Sequence, residues 1–496
     1  MSNSIQHGNI HKLLYAQSVA VVGASASPDK FGHRVLFNIV HNGYQGRVYP
    51  VNPREREVLG LHALPSIVDI PGEVDMAVIT VPPAGVKQVI QDCIRKGVKA
   101  AVVITAGFSE SGPEGTAMEA EIGDMARGAG IALAGPNCVG IINTHTGLYC
   151  HMMPFYPSRG PIAIVAQSGS VADMIASRLG DHGLGTSHLI SAGNEAVLRV
   201  ADYFDYLATD ERVTAVLAYI EGIRDGRRFL QAAKKLTARK PLIVLKSGST
   251  ASGARAALSH TAALAGDDRI INSLLHQAGA IRVDDMDAMV DTVSAFNGQP
   301  LPRGNRVGII APGGGWGVMV ADACEQRGLN VAPLDRATLD KLDSFLPPTW
   351  SHGNPVDTVT GIKGHAVEMV QALLESPALD GLIVLGVVGG MQSIWKYIGV
   401  DGGGKITTDG FSRGVIDQFD SYYREMMKLR DRFSKPVAVT FILPIKIEEI
   451  IREASRLTRE TGTTCHISAT QAVRAYSALS GYAAYLRKTN SRSGRA

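Results

Sequence analysis

The sequence predicts an α/β protein built as three doubly wound, parallel-sheet domains. Three observations carry that expectation. Short, continuously apolar runs alternate with amphipathic stretches, the pattern of strands covered by helices on both faces of a sheet. This alternation restarts twice, each time with an apolar strand running into a loop of small residues. At 496 residues the chain has length for about three cores at ~150 residues per domain. Its 54 glycines supply many tight strand-to-helix turns.

The first domain, expected over residues 1–147, opens with the strand Val19–Val22, a Gly-rich turn and a helix to about Asn42. Strands follow at Val48–Val51, Met76–Val81, Ala100–Ile104 and Ile131–Leu133, with helices through Val86–Lys96 and Pro113–Ala129. Such an alternation is Rossmann-like. The second domain, 148–298, repeats it with strands Ile162–Val165, Thr186–Ile190, Ala215–Ile220 and Leu242–Leu245. Asn297–Gly304 is rich in Gly and Pro and reads as a linker. The third domain, 305–483, places strands at Val307–Ile310, Gly381–Leu385 and Pro436–Thr440, with a Gly-rich insertion or lid at Gly389–Ser412. The segment 484–496, small and basic at its end, is expected to be disordered.

Composition narrows the class. A net charge of +3 with 19% charged residues argues against a nucleic-acid or anionic-membrane partner. Five scattered cysteines without a Cys-x-x-Cys pair support neither a disulfide framework nor a zinc site, so no metal is assigned to this chain. No apolar run approaches the ~20 residues of a membrane span, and a cytoplasmic location is the default expectation.

In the first domain the turn Gly23 to Gly32, with Ser25 and Lys30, follows a strand and opens a helix. Backbone N–H groups and the helix dipole bind phosphate in that setting. The turn is not Gly-x-Gly-x-x-Gly, and the second strand ends in Asn52-Pro53-Arg54 where dinucleotide enzymes place an acid. A base there suits a ligand with an additional phosphate, NADP or coenzyme A. Two further strand-end loops belong to the same binding edge: Val81-Pro82, and Thr105-Ala106-Gly107-Phe108-Ser109-Glu110. Gly135-Pro136-Asn137-Cys138 follows the next strand, and Cys138 reads as a small buried residue in preference to a nucleophile.

In the second and third domains the first strands run into Gln167-Ser168-Gly169-Ser170 and Pro312-Gly313-Gly314-Gly315. Each launches a helix and is an anion site by the same logic. His260, in Ser259-His260-Thr261-Ala262, follows a Gly/Ser/Ala-rich segment that leaves its imidazole open for proton transfer or nucleophilic attack. A lone histidine in such a loop is ordinarily incidental, but two phosphate loops facing it would form a phosphoryl pocket. Glu221, just past a strand end, can orient the imidazole. Asp267 and Asp268 read instead as first-turn helix residues.

Taken in order, Val21-Val22-Gly23-Ala24-Ser25 with Lys30 and Gly32, Val51-Asn52-Pro53, Thr105 to Glu110, Gly135 to Cys138, Gln167-Ser168-Gly169 and Ser259-His260-Thr261 resemble the NDP-forming acyl-CoA synthetases, relatives of succinyl-CoA synthetase. The resemblance is to the CoA-binding, alpha-type chain of ADP-forming acetate-CoA ligase, over Leu14–Phe296 and Arg306–Gly361, with Asn354-Pro355-Val356-Asp357 fitting too. It implies a Rossmann-like CoA-binding domain followed by two flavodoxin-like domains. It implies that His260 is the phosphorylated histidine, Glu221 its carboxylate partner, and Ser168–Ser170 and Gly313–Gly315 the phosphate-holding helix starts. The binding edge of Gly23, Ser25, Lys30, Asn52, Pro53, Arg54, Val81, Pro82, Thr105, Gly107 and Asn137 would then take CoA. The family draws phosphate from ATP through an ATP-grasp domain, which has no counterpart here. A separate beta-type subunit carrying ATP/ADP and Mg, in a hetero-oligomer, is therefore expected. Ala262 stands where the family has Gly, and 389–434 has no match. A non-catalytic CoA-binding regulatory or scaffold protein is the alternative, and an NADP-dependent reductase a weaker third.

Overall fold

The structure is a computed structural model. It describes residues 3–250, 252, 253, 255, 267–357, 365–386, 399–400, 406–407, 411–441 and 447–493. The chain forms two compact units, Met1–Gly180 with Gly185–Met289, and Asp181–Leu184 with Val290–Ala496.

The first unit contains two sheets. One has five parallel strands in the order Arg47–Val51, Ser18–Val22, Met76–Ile79, Ala100–Val103, Ala132–Ala134. Every residue of Ser18–Val22, Met76–Ile79 and Ala100–Val103 is buried, as expected of strands covered on both faces. From Ser18–Val22 the chain passes first to one neighbour and later to the other, so the loops after these strands diverge. An open crevice forms at such a switch point. The helix Phe31–His41 buries Val35, Leu36 and Ile39 against the sheet. The polar N-terminus contributes a helix, Asn3–Leu14, with Ile10, Leu13 and Leu14 buried.

The other sheet has seven strands, in the order Ile281–Val283, Leu242–Lys246, Ala215–Ile220, Arg159–Ala166, Thr186–Ser191, Gly140–Asn143, Leu148–His151. The last two form an antiparallel hairpin added to Thr186–Ser191. This hairpin has no counterpart among the strands expected from the sequence. Gly140–Asn143 thus pairs in the second sheet, while the last strand of the first is Ala132–Ala134. Arg159–Ala166 lies between Ala215–Ile220 and Thr186–Ser191, which makes it the switch point of the second sheet.

The second unit is built on four parallel strands in the order Val356–Asp357, Val307–Ala311, Gly381–Leu385, Val437–Thr440. The unmatched segment contributes a short antiparallel pair, Gly399–Val400 with Ile406–Thr407. From residue 411 it becomes the helix Phe411–Phe433, which buries Phe419, Tyr423 and Met426 in the core. That part of 389–434 is therefore structural. The expectation of disorder from residue 484 is also corrected, because the last helix runs Ala469–Ser493. Arg487 donates to the Pro302 carbonyl at 2.9 Å, and the rings of Tyr482 and Tyr485 stack. These contacts extend the helix past the apolar stripe at Ala472–Leu479.

Candidate active site

The crevice of the first sheet opens into a cavity of about 820 Å³. Gly23, Ser25, Lys30, Asn52, Pro53, Arg54, Val81, Pro82 and Thr105 all line it. Nine residues drawn from four separate strand-end loops thus meet at one place.

Local chemistry explains the shape. Gly23 has φ +93°, and a Cβ there would lie 2.7 Å from Thr80 Oγ1. A Cβ on Gly32 would fall 2.0 Å from the Gly23 carbonyl oxygen. Only glycine at both positions lets the turn fold tightly onto the start of the helix Phe31–His41, whose N-cap is Lys30. Asn52 braces the turn from the neighbouring strand: its Nδ2 donates to the Ala24 carbonyl at 2.6 Å, and its Oδ1 accepts from Arg54 N–H at 2.8 Å. Thr105 Oγ1 donates to the Val81 carbonyl at 2.7 Å and ties the fourth loop to the third. The cavity is also lined by Thr80, Phe31, Pro65, Ser66 and Ile67, which the sequence analysis did not single out. Thr80 carried a usable signal, being the polar residue that ends an apolar strand beside the switch point. Ser66 and Ile67 lie in a connection whose sequence has no distinguishing pattern.

Gly107 and Asn137 do not line this cavity. Gly107, at φ +103°, passes close to Pro83, where a Cβ would lie 2.8 Å from Pro83 Cγ. Asn137, at φ +56°, donates from its backbone to the Thr105 carbonyl at 2.9 Å and from its side chain to Asn194 Oδ1 at 3.2 Å. Both shape loops behind the binding edge. Cys138 is buried and donates to the Val103 carbonyl at 3.3 Å. Burial pushes its thiol up to about 12, so it is no nucleophile near neutral pH.

The loop Thr105–Glu110 is held from within. Glu110 Oε1 accepts from the N–H groups of Gly107 and Phe108 at 2.6 and 3.0 Å. Its Oε2 accepts from Asn194 Nδ2 at 2.5 Å. Burial alone would raise this carboxyl, but the bonds from Asn194, Phe108 and Gly107 hold it below the ordinary carboxylate range. The same Asn194 amide donates to Glu119 Oε2 at 2.8 Å.

At the switch point of the second sheet, Ser168 ends one strand loop and the helix Gly169–Asp181 begins. Ser168 and Ser170 hydroxyls lie 3.3 Å apart, and a Cβ on Gly169 would strike Val139 at 2.3 Å. Glu221 follows the adjacent strand and is 8% exposed. Its backbone N–H donates to Gln167 Oε1 at 2.6 Å, and its carbonyl accepts from Lys246 Nζ at 2.8 Å. Burial lowers the Lys246 ammonium below its ordinary value. Ile220 and Lys246 are paired in register, so the segment carrying His260 departs from a strand end next to Glu221. His260 itself, with 256–266, lies outside the described residues. Asp267 caps the next helix, Asp268–Ala278, by accepting from Arg269 N–H at 2.8 Å.

In the second unit the strand Val307–Ala311 leads to Gly313, the N-cap of the helix Gly314–Gln326. A Cβ on Gly315 would meet nothing within 4 Å, and one on Gly314 would lie 3.1 Å from Asp357 Oδ2. Among the described residues no group of three His, Cys, Asp or Glu side chains could hold a metal ion, and no helix is long and apolar enough to cross a membrane.

Three family models match the chain: a CoA binding domain over residues 17–144, a succinyl-CoA ligase like flavodoxin domain over 159–296, and a ligase-CoA domain over 307–391. The acetate–CoA ligase [ADP-forming] II subunit alpha of Pyrococcus furiosus is 44% identical over 75% of this chain and 81% of its own. The acetate–CoA ligase [ADP-forming] of Methanocaldococcus jannaschii is 39% identical over 70% of this chain, which spans 48% of that protein. Among solved structures, the dinucleotide forming acetyl-coenzyme A synthetase 1 of Ca. Korarchaeum cryptofilum, in complex with phosphate and ADP, superposes with a TM-score of 0.82. It is 31% identical, over 97% of this chain and 98% of that one. Domain order, binding edge and similarity along the length agree, and the chain belongs to the ADP-forming acyl-CoA ligase family, on the side of its alpha-type, CoA-binding subunits.

Proposed function

We propose that this chain is the CoA-binding and phosphohistidine-bearing half of an ADP-forming acyl-CoA ligase. The reaction interconverts carboxylate, CoA and ATP with acyl-CoA, ADP and phosphate. The observation that carries this reading is the cavity in which Gly23, Lys30, Asn52, Arg54 and Thr105 converge. Its glycine turn and helix start suit a pyrophosphate, and its two cations suit the additional phosphate of CoA.

In the acyl-CoA to ATP direction, phosphate attacks the thioester carbonyl. The C–S bond breaks and the thiolate leaves with a proton, giving an acyl phosphate. The imidazole of His260 then attacks phosphorus, the carboxylate departs, and a phosphohistidine remains. Glu221 holds the other ring nitrogen, fixing the tautomer that leaves the attacking nitrogen free. The helix start at Ser168–Ser170 stabilises the phosphoryl oxygens through backbone N–H groups. Phosphoryl transfer depends mostly on such positioning and electrostatics.

A beta-type, ATP-grasp subunit takes the phosphoryl group to ADP and carries the nucleotide with its Mg. Two longer relatives, of which the present chain spans 48% and 50%, support this division. Substrate names among the relatives run from acetate to 4-hydroxybutyrate and trans-ferulate, which sets the range of acyl groups to test.

The experiment is incorporation of labelled inorganic phosphate into the purified chain with a panel of acyl-CoAs, comparing wild type with His260→Ala. Acid-labile label that disappears in the variant is the expected result. No label with any acyl-CoA, with or without the partner subunit, would favour a CoA-binding regulatory protein.

A further inference from the structure

Behind Glu221 lies a half-buried polar clamp that the reaction scheme does not use. Gln167 directly follows the strand Arg159–Ala166 at the switch point of the second sheet, and its side-chain amide makes four hydrogen bonds. Oε1 accepts from the N–H groups of Glu221 and Gly222 at 2.6 and 3.1 Å. Nε2 donates to the Gly222 carbonyl at 3.0 Å and to Glu195 Oε2 at 2.9 Å. Only a side chain that donates and accepts at once satisfies all four, which suits a carboxamide and neither a carboxylate nor an ammonium.

Glu195 fixes which way the amide points. It is 6% exposed, and burial raises its carboxyl above the ordinary range. Its Oε1 accepts from Val200 N–H at 2.7 Å, which leaves Oε2 for Gln167. The residue sits at φ +59°, a conformation few side-chain-bearing residues adopt. The preceding residue, Asn194, turns the other way to hold Glu110 and Glu119 behind the CoA-binding loop. Two consecutive residues therefore brace the two halves of the site. A loop that ends a strand is ordinarily free to vary in direction. Here the N–H of Glu221 is taken by Gln167 and its carbonyl by Lys246.

We propose that Gln167, oriented by Glu195, is the positioning residue that sets the Glu221 carboxylate for phosphoryl transfer at His260. This rests on the roles assigned to Glu221 and His260 above. Gln167 acts through the backbone of Glu221, so its loss matters only while Glu221 has a carboxylate to aim. A displacement of about 1 Å in a catalytic group costs on the order of 10²-fold in rate.

The test measures the rate of phosphate labelling of the full chain from acyl-CoA for Gln167→Met, Glu221→Gln and the double variant, together with stabilisation by CoA. Gln167→Met retains the volume and removes the clamp. We expect labelling to slow by ~10–100-fold, with KM for acyl-CoA and the CoA-induced rise in melting temperature unchanged. In the Glu221→Gln background the same change should add less than about twofold, the non-additivity of residues acting as one unit. Glu195→Gln, which retains the shape, should show the same pattern with a smaller loss, and it decides the matter if Gln167→Met does not fold. Wild-type labelling rates in the variants, or an equal loss with and without the Glu221 carboxylate, overturn the proposal while leaving the function intact. Absence of label in the wild type, with or without the partner subunit, overturns the function and this proposal with it.

Discussion

Asn52 reaches across from the second strand to donate to the carbonyl of Ala24 at 2.6 Å, while its own Oδ1 takes the Arg54 N–H. One side chain therefore sets both the phosphate turn and the base that follows the strand. Asn52→Ala should raise the Kd for CoA by about tenfold, near the 1.4 kcal/mol scale of one lost hydrogen bond. The melting temperature of the free protein should fall by only a few degrees. Isothermal titration with CoA reads the first and calorimetry the second. Asn52→Asp, which lacks the donor to Ala24 and adds a negative charge, should bind CoA more weakly still.

Arg54 and Lys30 line the same cavity. If Arg54 recognises the extra phosphate, wild type should prefer CoA to dephospho-CoA by about 10–100-fold, the value of a charge-assisted contact of ~1.5–3 kcal/mol. Arg54→Ala should remove most of that preference by weakening CoA alone. Equal loss for both ligands would place Arg54 elsewhere on the nucleotide.

Cys138 sits beside the binding edge, but burial pushes its thiol up to about 12. All five cysteines are buried. Native protein at pH 8 should therefore resist a thiol reagent on the timescale that modifies the guanidinium-unfolded chain completely. Cys138→Ala should retain phosphate labelling within about threefold, with at most a modest cost in stability from the small volume lost. Rapid inactivation by the reagent, prevented by CoA, would contradict this.

In the second unit Arg306 makes a two-pronged bond to Asp380, from Nε to Oδ2 and from Nη2 to Oδ1, each at 2.9 Å. The Arg306 backbone N–H adds a third at 3.0 Å. Asp380 is 4% exposed. Burial alone would raise its carboxyl, but the Arg306 guanidinium and N–H hold it below the ordinary range. A depressed carboxyl contributes its stability in full above the unfolded value near pH 4, and that stability is lost as the pH falls through the lower folded value. Because the guanidinium is partly exposed, a contribution of about 2 kcal/mol is appropriate. Asp380→Asn should lower the melting temperature at pH 7 and flatten its decline on acidification below about pH 4. Thermal unfolding monitored between pH 3 and 7 checks both.

Most of the scaffold was legible in the sequence because parallel strands buried on both faces are continuously apolar, and every such run from Val19 to Val439 became a strand. Small-residue loops that follow strands mark helix starts by the same local rule, which is why Gly23, Ser168 and Gly313 fell where expected. The hairpin Gly140–His151 was missed because it pairs antiparallel at a sheet edge, outside the strand-helix alternation that announced the other strands. The helix Phe411–Phe433 was overlooked because it follows the Gly-rich stretch Gly389–Ser412, read as an insertion or lid.

What the sequence determined by itself was the class of each loop, since turn geometry and helix dipoles depend on residues close in the chain. Which loops share a cavity was decided only by the tertiary structure, because the sheet order brings Gly23 beside Thr80 and Asn52 beside Ala24. The division of labour within the carboxylates was equally a tertiary matter. Glu110 braces a loop, Glu195 orients an amide and Glu221 follows a strand end. Those roles depend on partners as far apart as Glu110 and Asn194, and no local pattern encodes a hydrogen bond across eighty-four residues.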